Sequence, residues 1–115
     1  MALSKAAAEF GLPYVPGAAT PSEMISLLEQ GYKLQKFFPA EAAGGTELLK
    51  SVASPLPEAR FMPTGGISAA RASEYLELPN VSGVGGSWIA PPALIAAQNF
   101  SEIAKLAADA ARLGM

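Results

Sequence analysis

The chain has 115 residues, half of them apolar, and a net charge of −2 with no basic cluster. That length suits one small domain with a real core. The charge argues against a nucleic-acid partner, and no apolar run approaches the ~18 residues of a membrane span, so no membrane partner is expected either. There is no cysteine and no histidine. This excludes disulfides, Ser-His-Asp and Cys-His catalysis, and the usual nitrogen and sulfur ligands of zinc. No metal is expected, and the chemistry left open uses Lys, Asp, Glu, Tyr, Ser, Thr or backbone dipoles.

Met1 to Phe10 include an acid and read as a small helix rather than a signal peptide, and a cytoplasmic protein is expected. Leu12-Pro13-Tyr14-Val15-Pro16-Gly17 reads as a short apolar strand. Thr20-Pro21-Ser22-Glu23 then opens a helix with an N-cap Thr, Pro at the first helical position and Glu completing a capping box. Met24, Ile25, Leu27 and Leu28 form its apolar stripe, and Gly31 ends it. A second strand spans Lys33 to Phe38, and Gly44-Gly45-Thr46 leads into a helix over Glu47 to Val52, closed by Pro55. The third strand, Ala59 to Pro63, runs into Thr64-Gly65-Gly66-Ile67, after which Ser68 caps a helix through Tyr75 and Leu76. The fourth, Val81 to Gly85, meets Gly86-Ser87-Trp88. A short helical piece follows Ala90-Pro91-Pro92. Asn99, with Glu102 as a capping-box partner, opens the last helix to about Arg112, with Ile103, Leu106, Ala107 and Ala110 inward.

Strands alternating with helices predict parallel βαβ units and an α/β fold, with strands at about 12–17, 33–38, 59–63 and 81–85 in sequential order. Neither a linker nor a domain boundary interrupts them. Two architectures fit: an open sheet, or half of an eight-stranded barrel whose whole form needs ~200 residues or more.

Within the second strand, period-2 alternation puts Leu34, Lys36 and Phe38 on one face, so an amine is aimed into an apolar surface. Desolvation disfavours the ammonium form of a lysine, and an uncharged amine is a nucleophile for carbonyl carbon. A snorkelling lysine at a strand end is the plainer alternative. Downstream, two strands end in glycine pairs followed by a serine, Gly65-Gly66-Ile67-Ser68 and Gly85-Gly86-Ser87. Glycine permits close backbone approach, and amides at a helix start can hold an anion.

Taken in order, Lys36-Phe37-Phe38-Pro39-Ala40-Glu41 with Gly44-Gly45, Phe61-Met62-Pro63-Thr64-Gly65-Gly66-Ile67, Pro79-Asn80-Val81 and Val84-Gly85-Gly86-Ser87-Trp88 resemble the 2-keto-3-deoxy-6-phosphogluconate (KDPG) and 4-hydroxy-2-oxoglutarate (KHG) aldolase family. Val15-Pro16-Gly17 and Thr20-Pro21-Ser22-Glu23 match that family's fifth strand and helix. The resemblance covers essentially the whole chain but only the C-terminal half of such an enzyme, so residues 1–115 are expected to be a single half-barrel segment.

The resemblance implies a class I aldolase on a (βα)8 TIM barrel, usually a homotrimer, that uses no cofactor. Its substrate is a phosphorylated keto acid, cleaved to pyruvate and glyceraldehyde 3-phosphate; many members also split 4-hydroxy-2-oxoglutarate into pyruvate and glyoxylate. Lys36 matches the imine-forming lysine. Phe38 would pack against substrate, and Thr64, Gly65, Gly66, Gly86 and Ser87 match the phosphate-binding region. The family's general base is a glutamate on the first strand, outside this sequence. Glu41 matches a different position and reads as structural. The alternative is a catalytically incompetent half-barrel that binds phosphorylated or keto-acid ligands or assembles with itself, or with a missing N-terminal half.

Overall fold

A computed structural model describes residues 2–114. Its helices begin where the capping residues stand. After α1 (Ala2–Glu9) and the two-residue strand β1 (Gly17–Ala18), α2 (Pro21–Glu29) starts on Thr20. Thr20 Oγ1 accepts from the Glu23 amide at 3.3 Å, and Glu23 Oε1 accepts from the Thr20 amide at 3.1 Å. This reciprocal pair satisfies two amides that a helix start would otherwise leave without partners. The chain continues through β2 (Leu34–Phe37), a cis Phe38–Pro39 peptide bond, the one-turn α3 (Ala40–Ala43) and α4 (Gly45–Ala53). Next come β3 (Arg60–Pro63), α5 (Ala69–Leu76), α6 (Pro92–Ala96) and α7 (Phe100–Ala111). Ser68 caps α5 as expected, accepting from the Arg71 amide at 3.3 Å. Asn99 caps α7 through the Glu102 amide, but its own N–H donates to Leu94 O at 2.9 Å, so only half of that capping box forms.

The strands are parallel and lie in the order β1-β2-β3, with Gly17 opposite Lys36 and Lys36 opposite Met62. β1 is shorter than the expected 12–17, because Pro13 and Pro16 have no N–H to give to a ladder. The fourth strand is reduced to two isolated parallel bridges, Phe61 to Val81 and Thr64 to Gly85. Three steps along β3 thus face four steps along its neighbour. One extra residue between Val81 and Gly85 breaks the ladder as a bulge does, and this accounts for the missing strand.

One face of this sheet is covered and the other is open. Phe37 and Phe61 are fully buried, packed in a core with Met24 and Leu27 of α2, Leu49 and Val52 of α4, and Ala72 and Tyr75 of α5. Gln35 lies on the same side, and its Nε2 donates to Met24 O and Tyr32 O at 3.1 and 3.0 Å. On the opposite side Val15, Gly17, Lys36, Phe38 and Arg60 are exposed, while Leu34, Met62 and Thr64 are half-buried. This corrects the expectation that Lys36 is aimed into an apolar surface: Leu34, Lys36 and Phe38 do share a face, but the core helices α2, α4 and α5 pack on the other one. Helices confined to one side of sequentially ordered parallel strands are the barrel arrangement, whereas an open doubly wound sheet is covered on both sides. The fold is α/β, of the (βα)8 type, with four sequential βα units forming a half-barrel.

The inward residues expected in α7 are only half-buried, and none of that helix is fully covered. Among the described residues no helix is long and apolar enough to cross a membrane.

Candidate active site

Lys36 is fixed by its backbone and leaves its side chain on the uncovered face. Its amide donates to Pro16 O at 2.8 Å, tying β2 to the segment before β1. Nζ stands 5.0 Å from the centroid of the Phe38 ring. This is within range for a cation to be attracted to an aromatic face. Gly17, its ladder partner, presents no side chain beside it. The described residues therefore supply an accessible amine next to an aromatic ring that is itself 51% exposed.

Beyond Phe38 opens a cavity of about 470 Å³, lined by Phe38, Thr64, Gly65, Gly66, Gly86 and Ser87 together with Ile67, Ser68 and Trp88. All six residues expected at the phosphate and substrate end are thus brought together, although they come from three different strand ends. Lys36 does not line the cavity and adjoins it through Phe38. Ile67, Ser68 and Trp88 were not singled out as site residues. Ser68 appeared as a helix cap and Trp88 as part of a motif, and neither pattern reveals a cavity wall.

Two of the glycines are required by this geometry. Gly65 has φ +112°, in the region that favours glycine, and a Cβ there would meet Pro39 Cα at 3.0 Å and Ala40 N at 3.1 Å. At Gly86 a Cβ would overlap the Trp88 ring. The loop is held from below, where the Ala40 amide donates to Thr64 O at 2.9 Å and the Glu41 amide to Gly65 O at 3.2 Å. Thr64 N donates to Phe37 O, and Gly85 N to Pro63 O, at 2.9 and 3.0 Å. Strand end, glycine loop and the start of α5 consequently form one rim.

Glu41 lies behind that rim rather than in it. Its carboxylate accepts from Arg71 Nε at 2.7 Å, from Arg71 Nη2 at 3.4 Å and from the Tyr75 hydroxyl at 2.8 Å. Arg71 also pairs with Glu74. The Arg71 bond, followed by the Tyr75 bond, holds the Glu41 carboxyl below its ordinary value of 4.5. Burial, with Glu41 next, pushes the Tyr75 hydroxyl up to about 12. A depressed carboxyl stabilises the fold fully above its unfolded value, and that contribution is lost as pH falls through the lower folded value. Glu23, also depressed through its bonds to Ala19 and Thr20 at the capping box, titrates in the same window. The stability of the wild-type chain should therefore fall below about pH 4.5, and Glu41→Gln should remove part of that fall while leaving the Glu23 part. Thermal melts between pH 3 and 7 check this; identical pH profiles for the two proteins would contradict it.

No group of three or more carboxylates capable of holding a metal ion occurs among the described residues.

The strand-end lysine and the glycine-walled cavity thus lie together at the C-terminal rim of the parallel half-barrel. Comparison with known proteins is specific. The family model described as "Aldolase: KDPG and KHG aldolase" matches residues 1–106, and the chain belongs to that family. It is 45% identical over 108 residues to the KHG/KDPG aldolase of Escherichia coli K12, covering 94% of this chain and 51% of that protein. It is 44% identical over 100 residues to the 2-dehydro-3-deoxy-phosphogluconate aldolase of Pseudoalteromonas atlantica, covering 87% and 46%. Among solved structures, the KDPG aldolase from Legionella pneumophila, with pyruvate captured as a covalent carbinolamine, superposes with a TM-score of 0.81 at 48% identity, covering 83% of this chain and 46% of that one. The 2-keto-3-deoxy-6-phosphogluconate aldolase of Zymomonas mobilis with 3-phosphoglycerate superposes with a TM-score of 0.84 at 38% identity, covering 93% and 50%. The chain spans about half the length of the curated relatives it matches.

Proposed function

We propose that residues 1–115 are the C-terminal half-barrel of a class I aldolase. It cleaves 2-keto-3-deoxy-6-phosphogluconate to pyruvate and glyceraldehyde 3-phosphate, and 4-hydroxy-2-oxoglutarate to pyruvate and glyoxylate. The observation that carries this reading is the pairing of an accessible Lys36 with the cavity walled by Thr64, Gly65, Gly66, Gly86 and Ser87. The carbinolamine in the Legionella relative, an amine adduct of a carbonyl, supports the same chemistry.

In this mechanism the Lys36 amine attacks the keto carbon of the substrate, and loss of water gives a protonated imine. A base removes the proton of the C4 hydroxyl. The C3–C4 electron pair then moves into the iminium, leaving an enamine of pyruvate and releasing the aldehyde; the base returns its proton to C3, and water adds to the resulting iminium, releasing pyruvate and the free lysine. The iminium is the electron sink, so the route asks for neither metal nor cofactor. Phe38 would pack against the bound chain of the substrate. The amides around Gly65 and Gly66 and the Ser87 hydroxyl would receive the phosphate. Borohydride reduction in the presence of pyruvate tests the reading: a covalent adduct supports it, and a chain that never forms one contradicts it. Ser87→Ala should weaken phosphorylated ligands by about 1–3 kcal/mol, the cost of a lost donor to a charged group, and leave pyruvate trapping intact. Calorimetry with both ligands separates the two effects.

The open sheet face favours a second reading for the 115-residue chain alone, as a catalytically incompetent module that binds such ligands or self-assembles. Glu41, the carboxylate nearest Lys36 in sequence, is already engaged by Arg71 and Tyr75, so the proton-transfer partner would come from the other half of a barrel. In either reading the face carrying Leu34, Lys36 and Phe38 asks for a cover, whether a second copy, the trimer of the family or an N-terminal half. Sedimentation of the chain at micromolar concentration should give a dimer or larger species, and a cooperatively folded monomer would contradict this.

A further inference from the structure

We propose that Glu41 is a positioning residue that sets the phosphate end of the cavity, acting through the Gly65–Gly66 loop and the start of α5 without touching the ligand itself. The inference rests on the reading of that cavity as the phosphate end of the site.

Glu41 is the point where three pieces of the rim meet. Its amide donates to Gly65 O at 3.2 Å. A Cβ placed at Gly66, where φ is +72°, would meet Glu41 Cβ at 3.2 Å and Cγ at 3.3 Å, so the loop lies directly on the stem of the side chain. At the far end of that stem the carboxylate holds Arg71 and Tyr75 of α5 at 2.7 and 2.8 Å. The residue that caps α5, Ser68, is itself a wall of the cavity. One side chain therefore spans from the chain just beyond Lys36 and Phe38 to the helix whose first turn the ligand would approach. Tyr75 is fully buried, which anchors the far end of the clamp in the core. Arg71 supplies two donors to the one carboxylate, a geometry that fixes orientation as well as distance. Glu41 does not line the cavity, so truncating it removes no contact to the ligand. Without the carboxylate, Arg71 and the Tyr75 hydroxyl lose their common partner. The backbone bonds from Ala40 and Glu41 to the loop remain, but α5 loses its side-chain tie to the segment after β2 and its first turn can shift, whereas Lys36, held by the Pro16 carbonyl on the opposite side of β2, keeps its place.

The test uses the 115-residue chain, with 3-phosphoglycerate and pyruvate as separate probes. Glu41→Ala should weaken 3-phosphoglycerate binding by about tenfold, the equivalent of one lost charged hydrogen bond, while reductive trapping of pyruvate stays within about twofold of wild type. Glu41→Gln keeps the length and an acceptor for Arg71 and should recover most of the affinity. If Glu41→Ala fails to fold, Tyr75→Phe keeps the buried ring, removes one arm of the clamp, and should weaken 3-phosphoglycerate alone by a few-fold. Unchanged affinity in a folded Glu41→Ala or Tyr75→Phe protein overturns the proposal. So does an equal loss of both probes, which marks a general structural role. Wild-type protein that traps pyruvate but binds no 3-phosphoglycerate overturns the phosphate reading and this inference with it.

Discussion

Lys36→Arg should abolish both pyruvate trapping and aldol cleavage in a complete barrel containing this segment. A guanidinium remains protonated at any working pH and has no free electron pair with which to attack a carbonyl. Lys36 is exposed and makes no hydrogen bond through its side chain among the described residues, and its Nζ stands over the Phe38 ring. The substitution should therefore change stability by no more than about 0.5 kcal/mol. A melting curve superposable on wild type, together with cleavage at background, is the expected pair of results. Cleavage at the wild-type rate would overturn the assignment. For the 115-residue chain alone little or no cleavage is expected, because the general base is expected in the other half and such a group is typically worth ~10²–10⁴ in rate.

The second large effect is on folding, and it comes from the residue next door. Phe37→Ala should cost about 3–5 kcal/mol, a large share of the roughly 5–15 kcal/mol that holds a small domain together. Phe37 is fully buried between α2, α4 and α5, and its removal leaves a cavity that those helices cannot close without moving. Phe38→Ala, one residue on and half exposed, should cost far less in stability and act on the cavity instead. Urea titration of the two variants reads out which face of β2 is buried. A larger loss for Phe38→Ala than for Phe37→Ala would contradict the structure.

That contrast marks where the sequence could and could not be read. Thr20, Ser68 and the paired glycines act locally, through caps and turns, and they place α2, α5 and the rim where the sequence suggests. The buried side of β2 is not a local property. Leu34 and Phe38 are apolar on one face and Phe37 on the other, as expected of barrel strands that end up covered on both sides, so alternation cannot say which face the helices take. Gln35 misleads further, since a polar residue is buried once Met24 O and Tyr32 O accept its protons. The break in the fourth strand depends on a one-residue slip against β3, and the partners of Glu41 lie 30 and 34 residues downstream. Both are tertiary relations that no pattern within a segment encodes. For the candidate site, the glycine pairs are legible as turns at strand ends, and Gly65, Gly66 and Gly86 do meet at one cavity. Ile67, Ser68 and Trp88 are not legible as part of it, because a cavity wall is made only when separate loops meet.

The most direct measurement is peptide mapping of the chain after borohydride reduction with pyruvate. Five lysines compete: Lys5, Lys33, Lys36, Lys50 and Lys105. If the amine beside Phe38 and the glycine-walled cavity is the nucleophile, the reduced pyruvate adduct falls on Lys36 and saturating 3-phosphoglycerate diminishes it. An adduct on Lys33 or spread evenly over the five lysines would contradict the central claim.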